Sequence, residues 1–213
     1  MKNILLLAAI LFILFYRESK TSESTSPGDV KNVEYGIREI PSVISYTGSP
    51  VAMVTWEDNS GKNLLFVTVT EEISKGDTRS KELFGYHIIT DGSGNRQLWK
   101  IYDFVKDCEV DLTLAYIDGS LSITDLDNNG TGESSLMYRM SCKGDVSSDG
   151  LKLIMHEGEK KYALRGSMDL VMNGKDFQKG SMKVDPSFNS APDEFLEFAK
   201  EQWDKYKTEK PGE

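Results

Sequence analysis

From residue 51 onward the chain alternates apolar and polar positions with period two. Leu112, Leu114 and Tyr116 share one face of an extended segment, and Leu136, Tyr138, Met140 and Cys142 share one face of another, with Ser135, Arg139 and Ser141 opposite. Turn residues separate these runs in pairs. Val51–Glu57 and Asn63–Thr70 flank Asp58–Gly61, and Leu83–Thr90 and Arg96–Val105 flank Asp91–Asn95. Asp111–Ile117 and Leu121–Thr124 flank Asp118–Ser120, and Leu151–Glu157 and Lys161–Arg165 flank Gly158–Lys160. Each connection is short and bears glycine, so each pair predicts a β-hairpin. All six prolines lie outside residues 51–185, leaving the span free to form ladders. The pattern predicts a mainly β protein of antiparallel hairpins, arranged as a curved meander or a two-layer sandwich. Nine strands are too few for a closed propeller.

The last segment changes period. Leu196, Ala199, Trp203 and Tyr206, with Phe195 and Phe198 beside them, recur at helical spacing. This predicts one amphipathic helix over 190–209, packed on the sheet. Ser190 is its expected cap, Asp193 the acidic partner three residues on, and Pro211-Gly212 its stop.

The start of the chain follows neither pattern. Lys2 precedes Ile4–Tyr16, an unbroken apolar run of 13 residues, which is short for a membrane span and fits a secretory leader. Ser22 and Ser24 are the best small pair for cleavage, so residues 1–24 are expected to be a signal peptide. If it stays uncleaved, it is the chain's only predicted membrane attachment. A lipoprotein would carry a cysteine just after the run, but the first cysteine is Cys108. Residues 25–32 read as a flexible linker, and 33–210 as a single β-rich domain.

Charge and composition narrow the partners. The formal charge is −9 in 213 residues, which argues against a nucleic-acid partner or charge-driven docking on anionic lipid.

One motif carries chemistry. In Asp125-Leu-Asp-Asn-Asn-Gly-Thr-Gly-Glu133, oxygen side chains occupy loop positions 1, 3, 5 and 9, and glycine occupies position 6, where the chain must turn. Such spacing wraps hard oxygens around one point, which suits Ca²⁺. The expected ligands are the side chains of Asp125, Asp127, Asn129 and Glu133 and the carbonyl of Thr131, with a structural role for the ion. Asp149, outside the loop, is expected to be dispensable for binding. Position 12 is Leu136, and strand-like segments flank the loop, so it is not a helix–loop–helix site. It resembles the strand-flanked DxDxDG loops of integrin-type FG-GAP blades, with Asn at the third ligand and Glu for Asp at the ninth. The two cysteines, Cys108 and Cys142, are expected to pair, as exported proteins favour, enclosing this loop.

No GxSxG, HExxH, P-loop or GxGxxG motif occurs, and no catalytic residue is singled out. His87 and His156 lie inside predicted strands and read as packed residues. Trp56 ends a strand and reads as core, with sugar stacking the alternative.

Leu98–Phe104, Asp107-Cys108, Ile123–Gly130, Leu136–Tyr138, Cys142–Ser147, Lys152–Glu157 and Lys161–Gly166 together resemble a family of small exported proteins of Bacteroidetes-type bacteria, catalogued as surface polysaccharide biosynthesis proteins. The resemblance runs from about residue 80 to the closing helix. It implies a protein of the periplasm or cell surface of a Gram-negative bacterium, with a non-enzymatic part in building or displaying lipopolysaccharide or capsule. Its partners would be a surface glycan or envelope assembly proteins. The residues alone leave two other classes open: a carbohydrate-processing hydrolase using an acidic pair, and an adhesin or partner-binding module.

Overall fold

The computed structural model describes residues 29–209. The expected signal peptide, 1–24, lies outside them. The chain forms two six-stranded antiparallel sheets, one from each half of its length. Sheet one contains β1 (Lys31–Tyr35), β2 (Ser49–Asp58), β3 (Gly61–Val69), β4 (Ile73–Lys75), β5 (Thr78–Asp91) and β6 (Gly94–Cys108). Its path is β1-β2-β3-β5, with β4 and β6 also paired to the long β5. Sheet two is built from β7 (Asp111–Tyr116), β8 (Ser122–Thr124), β9 (Glu133–Lys143), β10 (Gly150–Glu157) and β11 (Lys160–Ser167). Next come β12 (Asp169–Met172), β13 (Lys175–Gln178) and β14 (Ser181–Val184), of which β14 completes sheet two beside β11. Helix α1 (Asp193–Tyr206) and a short β15 (Thr208–Glu209) close the chain, and β13-β12-β15 form a small third sheet.

The two large sheets pack face to face, resolving the predicted architecture as a two-layer sandwich. Val54, Trp56, Leu65, Val67, Leu83, Trp99 and Ile101 from sheet one meet Leu114, Leu136, Tyr138, Ile154 and Ala163 from sheet two. Across this interface the Tyr138 hydroxyl donates to Asp103 at 2.8 Å, and Lys152 pairs with the same carboxylate. Sheet two is buried on both faces. Its outer residues Met137, Leu151, Leu153, Met155, Tyr162 and Leu164 pack under Phe195, Ala199 and Trp203 of α1, which is the predicted helical stripe in use. The outer face of sheet one carries Met53, Phe66, Phe84, Tyr86 and Ile88, partly covered by Ile40 and Ile44. A ladder of rings continues from there through Phe84–Tyr102, 5.0 Å apart, to Phe104 on β6. The other edge of β6 makes no strand pairing among the described residues.

Three of the four predicted hairpins form: β2–β3, β5–β6 and β10–β11. The third does not. β7 and β8 pair with successive stretches of β9 rather than with each other, because the turn at Ile117–Ser120 displaces β8 along the same edge. The helix is shorter than expected at both ends. Asp185 caps a separate 3-10 turn over Pro186–Ser190 by accepting from Ser187 N, so α1 begins only after Pro192. At the other end Thr208 and Glu209 leave the helix to pair with β12. β1 begins at Lys31, within the segment read as linker, and Val30 packs on the inner core.

Cys108 and Cys142 are bonded, joining the end of β6 to β9. The loop closed spans 34 residues, so reduction is expected to cost about 2–4 kcal/mol of stability. Urea unfolding with and without reductant measures this, and a loss below 1 kcal/mol would contradict it.

Candidate metal centre

The expected ion loop closes the β8–β9 hairpin, between the paired residues Thr124 and Glu133. Asn128 and Gly130 take left-handed backbone angles (φ 56° and 75°), and the reversal folds the loop onto itself. Gly130 N then donates to the Asp125 carboxylate at 3.2 Å. Asp127 accepts from Asn129 N at 3.2 Å and from Asn129 Nδ2 at 2.9 Å.

Asp125, Asp127 and Glu133 converge, each offering a carboxylate oxygen within 4.8 Å of the other two. Glu133 is the notable member, being 1% exposed at the start of β9. Its Oε2 accepts from Thr124 Oγ1 and Leu126 N, both at 2.9 Å, while its Oε1 is buried with no hydrogen-bond partner among the described residues. Buried polar oxygens almost always have a partner. Burial pushes the Glu133 carboxyl up to about 7; the Leu126 and Thr124 bonds oppose this, and the charges of Asp127 and Asp125 add to it. Among the described residues, no lysine or arginine pairs with any of the three. Such a set is suited to holding a hard divalent cation through oxygen.

Of the other two predicted ligands, the Asn129 side chain is hydrogen-bonded inside the loop and to Glu157 beyond it, and Thr131 takes part through its backbone N–H. The Asn129 side-chain oxygen accepts from Thr131 N at 2.8 Å, and its amide also donates to Glu157 Oε1 at 2.5 Å. Glu157 is a fourth carboxylate that the spacing did not reveal. It sits opposite Glu133 on β10, a neighbour set by sheet register alone.

The histidines are packed as expected. His156 stacks on Trp99 at 4.1 Å, and His87 lies edge-on to the same ring while its Nε2 bonds Asn63 Oδ1 at 2.9 Å. Trp56 is buried in the inner core, and its indole N–H donates to Asp58 at 2.8 Å. The exposed rings Tyr102 and Phe104 are what a partner-binding module would offer. They pack on each other with Lys106 over both rings and remain exposed at the edge of sheet one.

No family model, curated protein or solved structure matches this chain. Among the described residues, no helix is long and apolar enough to cross a membrane.

Proposed function

We propose that this is a calcium-stabilised, non-enzymatic domain whose ion is held by Asp125, Asp127 and Glu133, and that it serves at the cell envelope in the production or display of a surface polysaccharide. The observation that carries the ion site is the unpartnered Oε1 of the buried Glu133, whose carboxylate converges with those of Asp125 and Asp127 while, among the described residues, no lysine or arginine pairs with the three. The envelope role rests on the leader-like start and the sequence resemblance. The Cys108–Cys142 bond accords with an oxidising compartment.

Calcium binds the folded chain in preference to the unfolded one and so stabilises it by mass action, by about 2.7 kcal/mol at a hundredfold excess over Kd. Thermal melting is therefore expected to shift upward in millimolar calcium and back with chelator. Asp125→Ala should abolish the shift, while Asp77→Ala, in an exposed turn far along the sequence, should preserve it. A wild-type melting point indifferent to calcium would reduce the loop to an acidic turn. The envelope role is tested separately by the surface polysaccharide profile of a deletion strain, and an unchanged profile would remove it.

A further inference from the structure

We infer that the ion site extends across the sandwich: Asp58 and Asn59, in the β2–β3 turn of sheet one, are its positioning residues, and calcium fastens the two sheets through them. This rests on the calcium reading above. The loop's carboxylates gather at positions 1, 3 and 9, while its intervening backbone is bonded to the other sheet. Asn59 N donates to Gly130 O at 2.9 Å, and Asn59 Nδ2 donates to Asn129 O at 3.0 Å. In the reverse direction Gly132 N donates to Asp58 Oδ2 at 2.9 Å. Both faces of one nine-residue loop are thus used, one for carboxylates and one for the partner turn.

The contact is built for close approach. A Cβ on Gly132 would lie 2.7 Å from Trp56 Nε1 and 3.3 Å from Asp58 Oδ2, so only glycine lets the loop backbone reach the turn. Asp58 is itself fixed. Its Oδ2 also takes the Trp56 indole N–H, and its Oδ1 accepts from Ser60 N, Ser60 Oγ and Asn63 Nδ2. Asn63 continues the chain to the buried His87. Hydrogen bonds therefore run from Gly132, the backbone neighbour of Glu133, through Asp58 and Asn63 to His87 in the inner core of sheet one. The loop and turn also form adjoining walls of a cavity of about 270 Å³, lined by Asp58, Ser60, His87, Arg96, Thr131 and Gly132.

Repulsion among Asp125, Asp127 and Glu133 opposes the loop shape that presents Asn129 O, Gly130 O and Gly132 N to the turn, and a divalent ion removes it. By reciprocity, a turn that holds this shape favours ion binding. Partners bonded directly to metal ligands are commonly worth 10–100-fold in metal affinity, and a turn that holds the loop backbone one bond further out is expected at the lower end.

The test is calorimetric titration of the full chain with Ca²⁺, together with hydrogen exchange in calcium and in chelator. Asn59→Ala is the variant of choice, because Asn59 is an exposed turn residue whose side chain, among the described residues, bonds only Asn129 O. It should bind calcium about tenfold more weakly while melting normally in chelator. In the wild type, calcium should slow exchange at Asn59 and Ser60 as well as within 125–133. If calcium binds the wild type but protection stops at the loop and Asn59→Ala binds equally well, the inter-sheet role is overturned and the site stands. If the wild type does not bind calcium, both fall together.

Discussion

Asp149→Ala is expected to lose about 1.5–3 kcal/mol of folding stability, because it removes a buried anion from an ion network whose cations are partly exposed and keep Glu209. Asp149 is 1% exposed. It pairs with Lys143 Nζ at 2.6 Å and with Arg139 at 3.4 Å, and its backbone N–H donates to Glu209 Oε2 at 3.1 Å. Glu209 also faces both cations, at 3.6 and 3.7 Å, which ties β15 to sheet two. Without Asp149, Lys143 keeps only the more distant Glu209 and the Ser147 carbonyl. Urea denaturation measures the loss, and hydrogen exchange should show β15 released from β12 first. A loss below 1 kcal/mol would contradict the account. Asp149 is therefore no neutral comparison for the ion loop, whatever its distance from the motif in sequence.

Acidification from pH 7 to pH 5 is expected to cost about 4 kcal/mol through the two histidines. Burial lowers His87 to about 4; the nearby Asp58 opposes the shift and Arg96 adds to it. Burial also lowers His156 to about 3, helped by Lys161 and His87. The unfolded chain takes up protons at both sites below pH 6.5, whereas the folded chain does so only below about 4 and 3. At these two sites the unfolded state binds more protons throughout that window, so both lower stability as pH falls, while Glu133, raised to about 7, is protonated first in the folded chain and offsets about 2 kcal/mol of that loss by pH 5. Each histidine contributes about 2 kcal/mol by pH 5. His156→Phe preserves a ring against Trp99 and should make the pH 7-to-5 change more favourable by about 2 kcal/mol relative to wild type. Equal losses in wild type and variant would refute the assignment.

The sandwich was legible where one face of a strand is buried and the turn is local. Leu136, Tyr138 and Met140 alternate in sequence and together face the inner core. Legibility failed where both faces are buried or where pairing is distant. Met137 packs under the helix from the opposite face of the same strand, so the alternation there is incomplete. β7 and β8 are neighbours in sequence but meet only through β9, which begins nine residues after β8 ends. β12 and β15 are four- and two-residue strands joined across nearly forty positions, too short and too distant for a local pattern. At the site, the three carboxylates share one nine-residue motif and could be read from spacing. Glu157 and the Asp58–Asn59 turn could not, since each reaches the loop only through sheet register or the packing of one sheet on the other.

The unpaired edge of β6 bears on how copies of this chain behave together. Fifteen residues of extended backbone, with only β5 paired alongside among the described residues, present a row of amides and carbonyls ready to template a foreign strand. Tyr102 and Phe104 would make that encounter adhesive, being 46% and 43% exposed. Lys100 and Lys106 stand among them, with their ammonium groups over the rings of Phe84 and Phe104 at 4.7 and 4.5 Å. A second strand docking here would have to strip water from both charges. The same lysines that brace the aromatic ladder therefore act as gatekeepers against fibrillation, and a chain acetylated at both should lose colloidal solubility before it loses its fold.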